Sequence, residues 1–340
     1  MNPYIAYEAV NTKIISKRGH LLDQEQWKQI LGFTTIDQLV DFLKNNSEIL
    51  DELKDDNVHR QDLEAVLNKF KTHEIENLIH YVSGPYKSFV KTILLQSEIT
   101  DLSVILRKIA RKESLIGIQD DFVHSEKYSN LPYDKLLSSN SVVQFTENLK
   151  DTPYFNELRN LTNEDAIKRE FHIEMKLQLI YYNDLLSKAE NLEKSDMITA
   201  KEIIGYKVDL ENVQWIYRAT SYYEISPEEI LNYCLMGGRK INYNQLKKLC
   251  YTKSKEEFMK LANSYLRFDF FEDVNSENNI LSIDKYMFNY LKNTKFDGIG
   301  SVIAYVSLVG IIIDALTTVT EGIKYHIPKE KIKEYLAIKI

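Results

Sequence analysis

Glu98 and Asp101 stand three residues apart in the stretch "EITDLSVILRKIA" (Glu98–Ala110), close enough to share one side of a helix. A carboxylate pair can carry general acid–base catalysis, but that work also needs a cleft, a tuned pKa and a substrate-facing placement, and the surrounding residues announce none of these. The histidines His20, His59, His73, His80, His124, His172 and His326 are scattered. None forms an i, i+4 pair around a Glu, as a helical zinc-protease site requires. His73 and His80, seven apart, read as histidines on a helix surface. Cys234 and Cys250 have no further Cys or His at ligand spacing, which argues against both a disulfide scaffold and a zinc site and fits a reducing cytoplasm. Gly237-Gly238 lacks the Lys and Ser/Thr of a phosphate loop, and no nucleophile elbow is present. The expectation is a protein with no catalytic residue, no metal and no cofactor.

The elements that carry these residues are amphipathic helices. On a helical wheel Ile99, Leu102, Ile105, Leu106 and Ile109 form one apolar stripe, and Leu210, Val213, Ile216 and Tyr217 repeat it in "DLENVQWIYRATS" (Asp209–Ser221). Glu98 and Asp209 fall at the stripe's margin, Asp101 and Asn212 to one side, and Arg107 and Arg218 on nearly the opposite face. Two readings stand. Glu98, Arg107, Asp209 and Arg218 form a charged row toward a protein partner, or they serve capping, solubility and intrahelical pairing.

With 340 residues the chain can fill two or three domains without covalent staples. Its 43 Lys and Arg against 50 Asp and Glu give a net charge of −7, which disfavours a general nucleic-acid binder. Six Pro and eleven Gly leave long stretches unbroken, and these show helical rather than alternating periodicity, so the fold is expected to be all-α. The N-terminal residues have no signal-peptide pattern. Ile299 to Val319 is nearly apolar over a bilayer-spanning length, with Asp314 interrupting it. It is expected to be a core helix and not a membrane span.

Stop and start signals include Thr152-Pro153 and Ser226-Pro227-Glu228-Glu229 as helix starts, and Gly237-Gly238 as the stop after Pro227. More informative is an internal repeat. "WKQILGFTTIDQLVDFL" carries Trp27, Ile30 and the capping pair Thr35…Gln38. "YDKLLSSNSVVQFTENL" has Tyr133, Leu136 and Ser141…Gln144, and "YNQLKKLCYTKSKEEFMKLA" has Tyr243, Leu246 and Ser254…Glu257. Each is followed by a stripe helix: Thr35 precedes Asp101 by 66 residues, Ser141 precedes Asn212 by 71, and Ser254 precedes Asp314 by 60. In the third helix, "IIIDALTTVTEG" (Ile311–Gly322), Ile311 and Thr320 stand where charges are expected. The expected organisation is three related helical units, 1–120, 121–235 and 236–340.

The triplicate order, the opening "YIAYEAVNTKIISKRGHLL" and the closing "GIKYHIPKEKIKEYL" resemble the C subunits of V-type and archaeal-type rotary ATPases, which in eukaryotes are the d subunits. Asp101 and Asp314 replace the Asn usual in that family's helices. The resemblance implies three helical units in a quasi-threefold, funnel-like arrangement. It further implies a non-catalytic central-stalk subunit that couples the rotor shaft subunits to the membrane ring for proton or sodium transport. Such a protein is peripheral, on the cytoplasmic face, with no nucleic-acid partner and no membrane span of its own. The rival is a free-standing all-α repeat scaffold for protein partners.

Overall fold

A computed structural model of the chain describes residues 3–50, 60–162, 170–223, 225–271 and 282–338, and among them every regular element is helical. The side chains of the opening Tyr4–Glu8 and the last two residues lie outside the described set. The helices are α1 (Pro3–Gly19), α2 (Gln24–Ile30), α3 (Ile36–Asn46), α4 (Arg60–Ile79), α5 (Gly84–Ile93) and α6 (Leu95–Arg111). Then come α7 (Tyr133–Leu137), α8 (Val142–Asn148), α9 (Phe155–Leu158), α10 (Glu170–Ala189), α11 (Lys194–Tyr222) and α12 (Pro227–Tyr233). The last five are α13 (Tyr243–Cys250), α14 (Lys255–Leu266), α15 (Ser282–Asn293), α16 (Ile299–Lys324) and α17 (Lys329–Tyr335).

The chain divides into two compact units, one of Met1–Glu74 with Leu192–Ile340, the other of Ile75–Asn191. In the second unit α10 packs on α5, α6 and α9, and α8 on α6, α7 and α9. The α6 stripe is buried as its periodicity requires, and the helix stops at Lys112, whose φ of 56° is left-handed. In the first unit α16 packs against α1, α3, α11, α15 and α17, while α11 also meets α13, α14 and α15. Gly300 allows the close approach of α16 to α11: a Cβ there would lie 2.6 Å from the Thr199 methyl.

The most apolar window of α16 has a mean hydropathy of 2.2 and is long enough to span a bilayer, yet 89% of it is buried in protein. The core-helix expectation is met, because surface that lipid would cover is taken by other helices. Each of its buried Val, Leu and Ile side chains contributes roughly 1.5–3 kcal/mol, which makes α16 the organising element of its unit. One polar tie crosses that core. The Lys17 ammonium lies 2.7 Å from Glu74, and the Tyr305 hydroxyl donates to the same carboxylate, joining α1, α4 and α16. All three side chains are buried, so removing one would strand charge or a donor in the core.

The repeated caps form as expected. The Thr35 hydroxyl accepts from the Gln38 N–H in a full capping box, Ser141 accepts from Gln144 at 3.2 Å, and Ser254 from Glu257 at 3.1 Å. Ser226 caps α12 in the same way with Pro227 at its start. Two expectations need correction. Thr152 does not cap a helix: its hydroxyl donates to the Leu149 carbonyl and accepts from the Tyr154 N–H, closing a turn before α9. Gly237-Gly238 does not end α12 either, because the helix stops at Tyr233 with extended Cys234 as its cap.

Candidate functional site

The row of charges expected to face a partner starts on the two stripe helices, and the structure divides it. Glu98 on α6 is 8% exposed and accepts a 2.8 Å hydrogen bond from the Tyr154 hydroxyl. Burial pushes its carboxyl above the usual range, against the hydrogen bonds from Ser129 and Tyr154. Asp209 on α11 is fully buried. Its two oxygens accept from the backbone N–H groups of Lys240 at 2.7 Å and Ile241 at 3.1 Å. Burial lifts its pKa to about 6, opposed by the N–H groups of Lys240, Ile241 and Arg239.

Ile311, the matching position of the third repeat, is 5% exposed. The position is therefore internal in all three helices, and an apolar residue suits it where no loop needs an acceptor. Arg107 is exposed and Arg218 half-buried, so these two are the members of the row that solvent reaches.

What organises the helix surface is a pair of residues the sequence pattern set beside the stripe without a role. Asp101 accepts from the backbone N–H groups of Val123 (3.0 Å) and His124 (3.0 Å), and its Oδ2 lies 2.7 Å from His124 Nδ1. The His124 ring stacks on Tyr133 with centroids 3.8 Å apart. Asn212, at the corresponding place on α11, makes a two-way bond to one residue. It accepts from the Leu235 N–H at 2.7 Å and donates to the Leu235 carbonyl at 2.9 Å. Each clamp fastens to its helix a segment 22 or 23 residues further along the chain. The difference in residue type follows from the partners: Asp101 meets donors only, whereas Asn212 meets one donor and one acceptor.

Gly237-Gly238 finds its purpose here. Gly238 lies directly over the Asp209 carboxylate, where a Cβ would collide with Oδ1, and a Cβ at Gly205 would lie 2.8 Å from the Gly237 carbonyl. The glycines let this loop descend onto α11 so that its N–H groups reach Asp209.

In the third repeat Asp314 holds no loop of this kind among the described bonds. The solvent-reached Asp314 carboxyl is nevertheless pushed upward by the protein crowded round it, an effect that Lys71 opposes. Lys207 and Asp284 act on it from α11 and α15. The Lys71 side chain crosses α16 at Gly310, where a Cβ would stand 3.2 Å from its ammonium. Two cations and two carboxylates of the first unit thus act on one another around Asp314.

Residues 10–335 match the model of the ATP synthase (C/AC39) subunit family. The chain belongs to that family. Among its relatives are proteins named as the C subunit of A-type ATP synthase. The one from Archaeoglobus fulgidus is 24% identical over 351 positions, covering 98% of this chain and 96% of that protein. That of Methanosphaera stadtmanae is 23% identical over 348 positions (98% and 88%), and that of Methanosarcina mazei 21% over 256 (75% and 70%). As a member of the C/AC39 family the chain is a structural part of a membrane-associated ATP synthase complex. The clamps turn polar residues on long helices into fixed loop attachments.

Proposed function

We propose that this protein is a non-catalytic central-stalk element, a socket that joins the soluble rotor shaft to the membrane rotor ring during proton or sodium transport. It sits on the cytoplasmic face, peripherally and without a span of its own. The observation that carries the reading is the family match over residues 10–335, together with relatives named as the A-type ATP synthase C subunit, one of which aligns over 96% of its length. The packing supports it. A part that passes torque needs stiff, close-packed helices and loops that do not slip, and the buried stripes, the Lys17–Glu74–Tyr305 tie and the two clamps supply these.

The division into units 1–120, 121–235 and 236–340 belongs to the same proposal, supported by the recurring caps at Thr35, Ser141 and Ser254. Of the charged row, Arg107 and Arg218 are proposed for partner contact. Glu98 and Asp209 act inside, holding Tyr154 and the loop after α12. Family membership leaves no support for the free-standing scaffold. Purification of the complex from membranes through a tag on this protein should recover shaft and ring proteins together; recovery of unrelated soluble proteins alone contradicts the assignment. Reversing both arginines, Arg107→Glu with Arg218→Glu, should lower transport per ATP hydrolysed, and unchanged coupling would remove those two residues from the contact.

A further inference from the structure

An acidic chain carries an open basic cleft, in the unit made of Met1–Glu74 and Leu192–Ile340. It has a volume of about 440 Å³ and is lined by Arg239, Lys240, Gln245, Ser264, Tyr265 and Arg267. The loop clamped to α11 by Asp209 supplies the first two, α13 the third, and the end of α14 the rest.

The structure accounts for these cations unequally. Arg239 Nη2 lies 2.7 Å from Glu202, and its guanidinium stands 6.0 Å from the Tyr290 ring centre. The Lys240 ammonium donates to the Leu266 carbonyl and sits 5.3 Å from the Phe268 ring centre, which leaves two of its three N–H groups to spare. Arg267 caps α14 with a φ of 64°, and its guanidinium meets no carboxylate among the described residues. Asp269, two residues on, instead has its carboxylate 3.5 Å from the Asn263 amide.

Three cations therefore line a cleft that has no carboxylate among the described residues of its lining; Glu202 pairs with Arg239, and Asp209 is committed to the backbone N–H groups of Lys240 and Ile241. Their crowding is felt at Lys240, which burial and then the like charges of Arg239 and Arg267 hold below the usual lysine range. Bonding to the Leu266 carbonyl at the end of α14 explains the Lys240 ammonium; the cap at Arg267 is made by its backbone and leaves its guanidinium, and the convergence, unexplained. Uncharged donors complete the set. Gln245 spends its carbonyl oxygen on the Asn242 N–H, so its NH2 group remains to donate, and Ser264 and Tyr265 line the same space.

We propose that this cleft binds a phosphate group, with the Arg267 guanidinium as its main bidentate donor and Lys240 and Arg239 as flanking charges. Two sources share that chemistry, a phospholipid headgroup and a soluble phosphate compound. The inference does not depend on which proteins this chain joins.

The test uses the full-length protein. Calorimetric titration with inorganic phosphate is set beside flotation with phosphatidylcholine vesicles, with and without phosphatidylglycerol. Arg267→Asn removes the fork while keeping a residue that tolerates the left-handed backbone, and it should weaken binding at least tenfold. Arg239→Gln, on an exposed side chain, is the second variant should the first unfold. Flotation only with anionic vesicles, lost in Arg267→Asn, supports the site and assigns it to headgroups. Phosphate heat without flotation, again lost in the variant, supports it and assigns it to a soluble compound. The proposal is overturned if neither probe binds, if binding is indifferent to both substitutions, or if polyglutamate binds while phosphate does not.

Discussion

Exchanging the two clamp residues tests whether their chemistry, and not merely their size, is what the loops require. In Asn212→Asp the acceptor for the Leu235 N–H is kept, but the donor to the Leu235 carbonyl is replaced by a carboxylate oxygen facing it. One buried carbonyl loses its partner at roughly 1–3 kcal/mol, and the position is fully buried, so an ionised carboxyl adds to that penalty. A loss of about 3 kcal/mol at neutral pH is expected. The carboxyl should answer with a raised pKa, so the folded protein holds a proton that the unfolded chain releases, and stability then rises as pH falls through the folded pKa. The protonated acid can donate to the carbonyl again.

Asp101→Asn makes the opposite error, setting an NH2 group against donors from Val123, His124 and the His124 ring, at about 2–4 kcal/mol. Amide hydrogen exchange reads this locally. Protection at Leu235 in Asn212→Asp, and at Val123 and His124 in Asp101→Asn, should fall by about 10- to 100-fold at pH 7, with part of the Leu235 loss recovered near pH 5. If Leu235 in Asn212→Asp is as protected as in the wild type at pH 7, or gains nothing in acid, the donor–acceptor argument is wrong.

Gly238→Ala should cost about 1–3 kcal/mol by driving a methyl group into Asp209, measured by urea unfolding, and a neutral effect would mean the loop does not rest on that carboxylate. Asp209, raised from 3.8 to about 6, stabilises the fold more as pH drops through that window, so the wild-type advantage over Asp209→Asn should grow between pH 7 and 5; a flat difference refutes it. Glu98→Gln should be nearly neutral because an amide oxygen can still accept from Tyr154, while Glu98→Ala strands that hydroxyl at about 1–3 kcal/mol; equal losses in thermal scans would contradict the assignment. Cys234 and Cys250 are both buried, and the Cys234 thiol is pushed upward by its hydrogen bond with Cys250 and by burial. Both should resist alkylation at pH 8 until the protein unfolds, and rapid labelling of the native protein counts against this packing.

Much of the fold was legible because it rests on local rules. The stripe of Ile99, Leu102, Ile105, Leu106 and Ile109 and the caps at Thr35, Ser141, Ser226 and Ser254 are short-range patterns, and the structure forms them as read. The clamps were not legible, because a wheel places Asp101 and Asn212 beside the stripe but is silent on which loop returns to them from 22 or 23 residues away. Their recurrence at one helix position was the available signal. Glu98 and Asp209 looked like surface charges for the same reason: long-range acceptors for Tyr154 and the Lys240 amide cannot be seen in periodicity. Thr152 and Gly237-Gly238 misled in the other direction, since a turn and a close approach use the same residue types as helix ends.

In the proposed role this protein joins two rotor parts without performing chemistry. ATP-driven ion transport by the membrane-reconstituted complex, measured with this protein removed and then added back, tests this most directly. Hydrolysis by the soluble head should persist throughout, and transport should vanish without the protein and return with it. Transport that continues in its absence, or hydrolysis by the isolated head that depends on it, would contradict the account.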